Sequence, residues 1–202
     1  MTIAEIDPET SAPSLDDPPP SLGERCLTWA LAELAASTGG RPTDDRITWY
    51  FSACVRNGKP LRGLGPKDNW CAASACATAA ACLLPGEQLP HAYRASGLEL
   101  VADAQASGAW HGVAESRSQK WLPRTGDLAI FQRGQPGQAT AWERHVARVL
   151  VPPDGSGKLR TIGGNEGPTS IWKQTDHALT DADLLGFIAY PQAPDPAGPA
   201  TP

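Results

Sequence analysis

The 202-residue chain is expected to fold as an α+β domain, with N-terminal helices packed against an antiparallel β-sheet, and three observations carry that expectation. Apolar residues recur at helical spacing through the first third of the chain. From Ala109 onward the pattern changes to short β-rich runs separated by turn residues. Twenty prolines and twenty glycines, spread through the sequence, argue against a helical bundle.

Ser21 is placed to cap a first helix, SLGERCLTWALAELAAS, in which Leu22, Cys26, Trp29, Ala30 and Leu34 repeat on one face and after which Gly39-Gly40 stops the helix. Thr43-Asp44-Asp45 supply a cap and early acids for a second, running through ITWYFSACVRN to Asn57-Gly58. The loop KPLRGLGPKDNW delivers the chain to a third, from about Trp70 to Leu84, closed by Pro85-Gly86. Small residues dominate its body, so a neighbouring element can approach closely. Five strands are expected downstream, in WHGVA, DLAIFQR, RHVARVLV, KLRTIGG and LGFIAY. The Pro-, Ala- and Asp-rich segments 1–20 and 191–202 bury too little apolar surface to offset ordering entropy and read as tails around a single domain, 21–190.

Composition excludes several functions. A net charge of −5, a pI near 5.3 and the lack of a dense Lys/Arg cluster argue against nucleic acid as a partner. No apolar run approaches the roughly 20 residues that cross a bilayer, so no membrane insertion is expected. The acidic, proline-rich N-terminus lacks the basic and apolar regions of a signal peptide, and a non-Sec route is expected if the protein leaves the cytoplasm. Five cysteines without CxxC spacing fit neither a zinc ribbon nor a fully paired disulfide framework, so at least one thiol is expected to be free.

The segment NWCAASAC places Cys71 at the start of the third helix, where unsatisfied N–H groups and the helix dipole lower a thiol pKa. On that helix Cys82 falls on nearly the same face as Cys71 but three turns away, and Cys76 points about 140° elsewhere. Cys76, Cys82, Cys26 and Cys54 read as core. A thiol nucleophile needs a base. His145 heads the strand RHVARVLV, just after DLAIF, where hairpin pairing would set it at a sheet edge facing a packed helix. His111 in WHGVA is its competitor, and His91 and His177 lie in loop-like sequence and read as surface residues. TIGGNEG offers Asn165 and Glu166 to hold the imidazole's second nitrogen, with Asn165 favoured, since adjacent strand residues point to opposite faces. The two preceding glycines permit close approach or unusual backbone angles. Trp70 is either a cleft wall or core packing, and Asp127 in GDLAIF reads as a structural turn residue beside the site.

The order NWCAA, PRTGDLAIF, ERHVARV, TIGGNEG resembles the CHAP-like and NlpC-type cell-wall cysteine peptidases and amidases of the papain-like superfamily. The resemblance covers about Asn69 to Glu166. It implies Cys71 as nucleophile, His145 as base and Asn165 as orienting residue, with Trp70, Glu166 and Asp127 beside them. It also implies a papain-like core, no cofactor or metal, and peptidoglycan as the substrate, cut in the stem peptide or at the N-acetylmuramoyl-L-alanine bond. Glu143-Arg144 stands where many relatives carry a glycine before the histidine, and some relatives use an acid at the third position. A phage lysin or an injected antibacterial effector with an immunity protein as partner would satisfy the delivery problem. A hydrolase or acyltransferase acting on a non-wall amide, an inactive binding module, and a metal site using Cys71 and His145 are the alternatives.

Overall fold

The computed structural model describes residues 19–56, 58–133 and 143–191. The expected tails fall almost wholly outside this range. Helix α1, Leu22–Ala36, starts where expected: Ser21 Oγ accepts the Glu24 N–H, and Glu24 Oε2 accepts the Ser21 N–H at 2.8 Å. Helix α2, Asp44–Ser52, is capped by Thr43 but ends earlier than the sequence suggests. Strands β1, Val55–Arg56, and β2, Lys59–Pro60, pair as a small ribbon around Gly58, whose positive φ of 72° makes the turn, and this ribbon takes the residues expected to finish the helix. Helix α3 spans Cys71–Cys82. Helix α4, Gly97–Ser107, is additional to the three expected helices; Ser96 caps its start and Gly108, at φ 78°, its end.

The expected strand WHGVA is split into β3, Trp110–Gly112, and a short helix α5, Val113–Arg117. Then come β4, Leu128–Gln132, β5, Arg144–Val151, β6, Lys158–Glu166, β7, Ile171–Ala178, and β8, Leu184–Ile188. The strand β7 was not expected. Among the described residues the main sheet is antiparallel throughout, in the order β3-β8-β4-β5-β6-β7. The fold is therefore α+β, and β5 lies inside the sheet rather than at its edge. No described helix is long and apolar enough to cross a membrane.

One sheet face, with Leu128, Ile130, Val146, Ile162 and Ile188, packs on α1, α2 and α3. The other face carries Ala129, Phe131, Ala147, Val149, Leu159 and Phe187 under Trp121 and Val113. Strand alternation sorts these two sets. The α3 body is alanine-rich because it is buried on nearly every side from Cys71 to Ala79, leaving no room for larger residues at an ordinary packing density. Trp70, fully buried, stacks on Tyr50 at 5.5 Å and packs on Trp172 at 5.9 Å, so it is core packing.

Two polar residues lock the frame. Asp127 is buried, and its carboxylate accepts main-chain N–H groups from Arg124 (2.7 Å) and Tyr190 (2.8 Å), tying the turn before β4 to the end of β8. His91 is not a surface residue: it is buried, with Nδ1 at 2.8 Å from Ala92 O and Nε2 at 2.8 Å from the Tyr190 hydroxyl. Burial drives its pKa down to about 4.

Two predictions come from this frame. Gly126 has φ 92° and a Cβ there would stand 2.2 Å from the Gly23 backbone, so Gly126→Ala should lower stability by about 3 kcal/mol in urea denaturation, whereas Gly155→Ala, in open space, should change it by under about 0.5 kcal/mol. Because the unfolded chain takes up the His91 proton near pH 6.5 and the folded one near 4, stability present above 6.5 should fall by up to about 3 kcal/mol as pH drops through that window. His91→Gln should flatten that slope, whatever its effect at pH 7.

Candidate active site

The site is built on a mismatch between β5 and its neighbour. Glu143 O accepts the Arg133 N–H and the Val149 N–H donates to Asp127 O, so the odd-numbered main-chain groups of β5 face β4. The even-numbered ones face β6. Yet β6 pairs with β5 only from Arg148, opposite Ile162, toward the far end of the hairpin, and then veers away. Cys71 takes the place that β6 vacates: its sulfur lies 3.8 Å from Arg144 O and receives the Val146 N–H.

The divergence of β6 comes from Gly163, Gly164 and Asn165, the last at φ 63°, a left-handed conformation that asparagine tolerates better than most residues. A Cβ on Gly164 would fall 2.1 Å from the Trp70 ring, and one on Gly163 would fall 2.7 Å from Glu166 Oε1 and 3.0 Å from the Ala147 methyl. The glycines let the strand pass between the Trp70 indole on one side and the Glu166 carboxylate on the other.

His145 stands on the face of β5 shared with Ala147 and Phe131, its ring 6.3 Å from that of Phe131. It thus lies on the face away from α1, α2 and α3, and the Cys71 side chain interacts with it across the open seam. The other histidines are elsewhere. His111 sits on the edge strand β3, stacked on Trp121 at 3.9 Å and paired with Glu115, and His177 is on β7 near Asp181. Neither competes for the thiol.

Glu166, not Asn165, holds the imidazole. Glu166 Oε1 is 2.6 Å from His145 Nε2, whereas the Asn165 side chain turns to Asn69 Oδ1 at 3.2 Å. The left-handed step at Asn165 breaks the strict alternation on which the choice of Asn165 rested. Asn165 still belongs to the frame, because its carbonyl accepts from Arg133 Nη2 at 2.6 Å.

Arg133 is the group sequence reasoning missed. Its Nη2 is also 3.0 Å from His145 Nδ1, and its Nη1 is 3.0 Å from Asn69 Oδ1. A signal existed: Phe131 pairs with His145, so Arg133, two residues on, is a same-face diagonal neighbour of the histidine. Asn69, beside the cysteine motif, was passed over as loop.

Burial alone would raise the Cys71 pKa, but the His145 hydrogen bond and charge, the Arg133 cation and the Val146 N–H outweigh it and bring the thiol below its ordinary value. Burial alone would lower His145; Cys71 and Glu166 reverse that and raise it to about 9. Glu166 is held below the ordinary carboxylate value by His145 against its own burial. Both shifts of the Cys71–His145 pair favour thiolate and imidazolium. The Arg133 contact requires a lone pair on Nδ1, and so belongs to the thiol–imidazole form. When the proton reaches Nδ1, the guanidinium retains Asn165 O and Asn69 Oδ1 as acceptors.

Cys71 is 3% exposed and His145 7%. The hollow lined by Cys71, Ser74, Gly163 and Gly164 is about 10 Å³, while a larger one of about 620 Å³, by Arg160 and His177, is remote from the thiol. The thiol is thus enclosed, beside a hollow no larger than a water molecule. No protein-family model, curated protein or solved structure matches the chain.

Because Glu166 sustains the imidazolium and the imidazolium sustains the thiolate, Glu166→Gln should raise the apparent thiol pKa by about one unit and slow iodoacetamide labelling of Cys71 at pH 7 about tenfold. Asn165→Ala should stay within about threefold of wild type. The opposite ranking would return the orienting role to Asn165.

Proposed function

We propose that the chain is a cysteine hydrolase that cuts an amide bond of peptidoglycan, either within the stem peptide or between N-acetylmuramic acid and L-alanine. The observation that carries the reading is the Cys71–His145–Glu166 relay: a thiol on the first turn of α3, against an imidazole whose other nitrogen is bound to a carboxylate at 2.6 Å. The motif order of the CHAP-like and NlpC-type enzymes supports the wall as target, and a helix layer followed by an antiparallel sheet is consistent with a papain-like core. The change from Asn165 to Glu166 in the third role keeps the chemistry and moves the chain toward relatives with an acid there.

In this mechanism Cys71 gives its proton to His145 and attacks the amide carbonyl. The imidazolium protonates the leaving amine, and the neutral ring then draws a proton from water to release the acyl group. Glu166 fixes the ring and stabilises its charged form. The Cys71 N–H, at a helix start where no carbonyl of the preceding turn is available, is one donor to the oxyanion. Val146 N–H and Arg144 O hold the sulfur on the seam before attack. The wall lies outside the cytoplasm, so the reading includes export by a secretion system or release at phage lysis, and in the first case an immunity protein that covers the cleft in the producing cell.

Incubation with purified sacculi of direct-linked and bridge-linked chemistry should release fragments whose masses identify the bond. Cys71→Ala and His145→Ala should each lose at least about a thousandfold in rate. Rapid alkylation of Cys71 near neutral pH without fragments would move the reaction to a non-wall amide. Slow alkylation together with no fragments would end the hydrolase reading.

A further inference from the structure

Asn69 takes no part in the Cys71–His145–Glu166 relay, yet its hydrogen bonds define which way its carboxamide faces. Its Oδ1 lies 3.0 Å from Arg133 Nη1 and 3.2 Å from Asn165 Nδ2. A guanidinium carries donors only, so the atom that meets it is the amide oxygen, and the NH2 end of the same planar group stands on the other side. Among the described residues, that end meets no acceptor.

The carboxamide is tied to the site from two directions. Arg133, which binds its oxygen, also reaches His145 Nδ1 at 3.0 Å and Asn165 O at 2.6 Å, so one guanidinium links the amide to the ring that takes the Cys71 proton. Along the chain, Asn69 stands two residues before Cys71, just ahead of Trp70, the residue that opens α3. No side chain caps that helix, because the Asn69 oxygen goes to Arg133 and Asn165 and not to the first N–H groups. Asn69 is exposed while Cys71 and His145 are buried, which sets its amide at the rim of the site. Neighbouring side-chain donors are engaged: Ser74 Oγ donates to Cys71 O at 2.9 Å, and Asn165 Nδ2 donates to Asn69 itself.

We infer that Asn69 is a further catalytic residue, whose Nδ2–H is the second donor to the oxyanion beside the Cys71 N–H. The inference rests on the hydrolase reading. In the addition step the Cys71 sulfur forms a bond to the amide carbon, and the carbonyl π pair moves onto oxygen, which then accepts both N–H groups. Collapse returns that pair to carbon, breaks the C–N bond and sends the imidazolium proton to the leaving nitrogen. Arg133 and Asn165 keep the carboxamide from rotating, so the donor is in place before charge develops on the oxygen.

The test compares two reactions of one thiolate in the full chain. Iodoacetamide alkylates the sulfur by displacement of iodide at a saturated carbon, where no oxyanion forms. Acylation by p-nitrophenyl acetate passes through a tetrahedral oxyanion and releases p-nitrophenolate. Both rates scale with the thiolate fraction, so their ratio is independent of any change in thiol ionisation. Asn69→Asp keeps an oxygen for Arg133 and Asn165 and puts an acceptor where the donor was; Asn69→Ala removes both ends. Alkylation is followed on the Cys71 peptide by mass spectrometry, and acylation as the p-nitrophenolate release that Cys71→Ala abolishes. The ratio of acylation to alkylation should fall about a hundredfold in each variant. A ratio within about threefold of wild type in either variant would overturn the donor role and leave the hydrolase reading standing, even where both rates fell together through loss of support for Arg133. Wild-type protein that is alkylated at Cys71 and not acylated would overturn both.

Discussion

The parting of β6 from β5 after Ile162 is the constraint on which the rest of this structure depends. A fully paired hairpin would satisfy Arg144 O and the Val146 N–H with main-chain partners and leave no seam. With β6 turned aside, those two groups face a helix end instead, and a thiol fits between them. Gly163 and Gly164 make the turn possible because each passes too close to a neighbour for a Cβ. The Trp70 ring then holds the helix start against the strand. Tyr50 and Trp172 hold the ring, and Glu33 accepts the Tyr50 hydroxyl at 2.5 Å. Helix layer, sheet and site are coupled through this one cluster.

Much of the layout was legible because it rests on short-range chemistry. Ser21 and Thr43 mark helix starts through bonds made within three residues, and the strands around Ala129, Val149 and Phe187 alternate as a sheet requires. The parts that escaped are set by distant partners. The second helix ends at Ser52 because Val55 and Arg56 have partners in Lys59 and Pro60, a competition that helical periodicity does not register. The edge strand β7 mixes Lys173, Gln174 and Asp176 with Trp172 and so lacks a clean apolar signal, its stability coming from its ladder with β6. His91 looked solvated because its flanks are loop-like, and only the fold brings Tyr190 to it.

The same division applies to the site. Cys71 and His145 were visible as residue types in a motif order. The choice between Asn165 and Glu166 was not, since it turns on a single left-handed residue that overrides strand alternation. Arg133 was hidden for a different reason: it lies just past β4 and outside the motif segment, and its value comes from the pairing of Phe131 with His145 across the hairpin.

That arginine makes the charge balance of the site intelligible. A cation beside a base disfavours protonation of the base, yet the same cation favours the thiolate, and the carboxylate on the far side of the ring restores the basicity. Arg133 and Glu166 cancel when Cys71 and His145 are neutral, and the four charges cancel again after the proton has moved. The transfer therefore redistributes charge inside a buried site without changing its sum, which avoids the desolvation cost of creating a net buried charge. Removing Glu166 alone would leave an excess positive charge around the imidazole, and removing Arg133 alone an excess negative charge around the sulfur. Either loss opposes one half of the ion pair, so the reactive form of the thiol depends on the two flanking charges together.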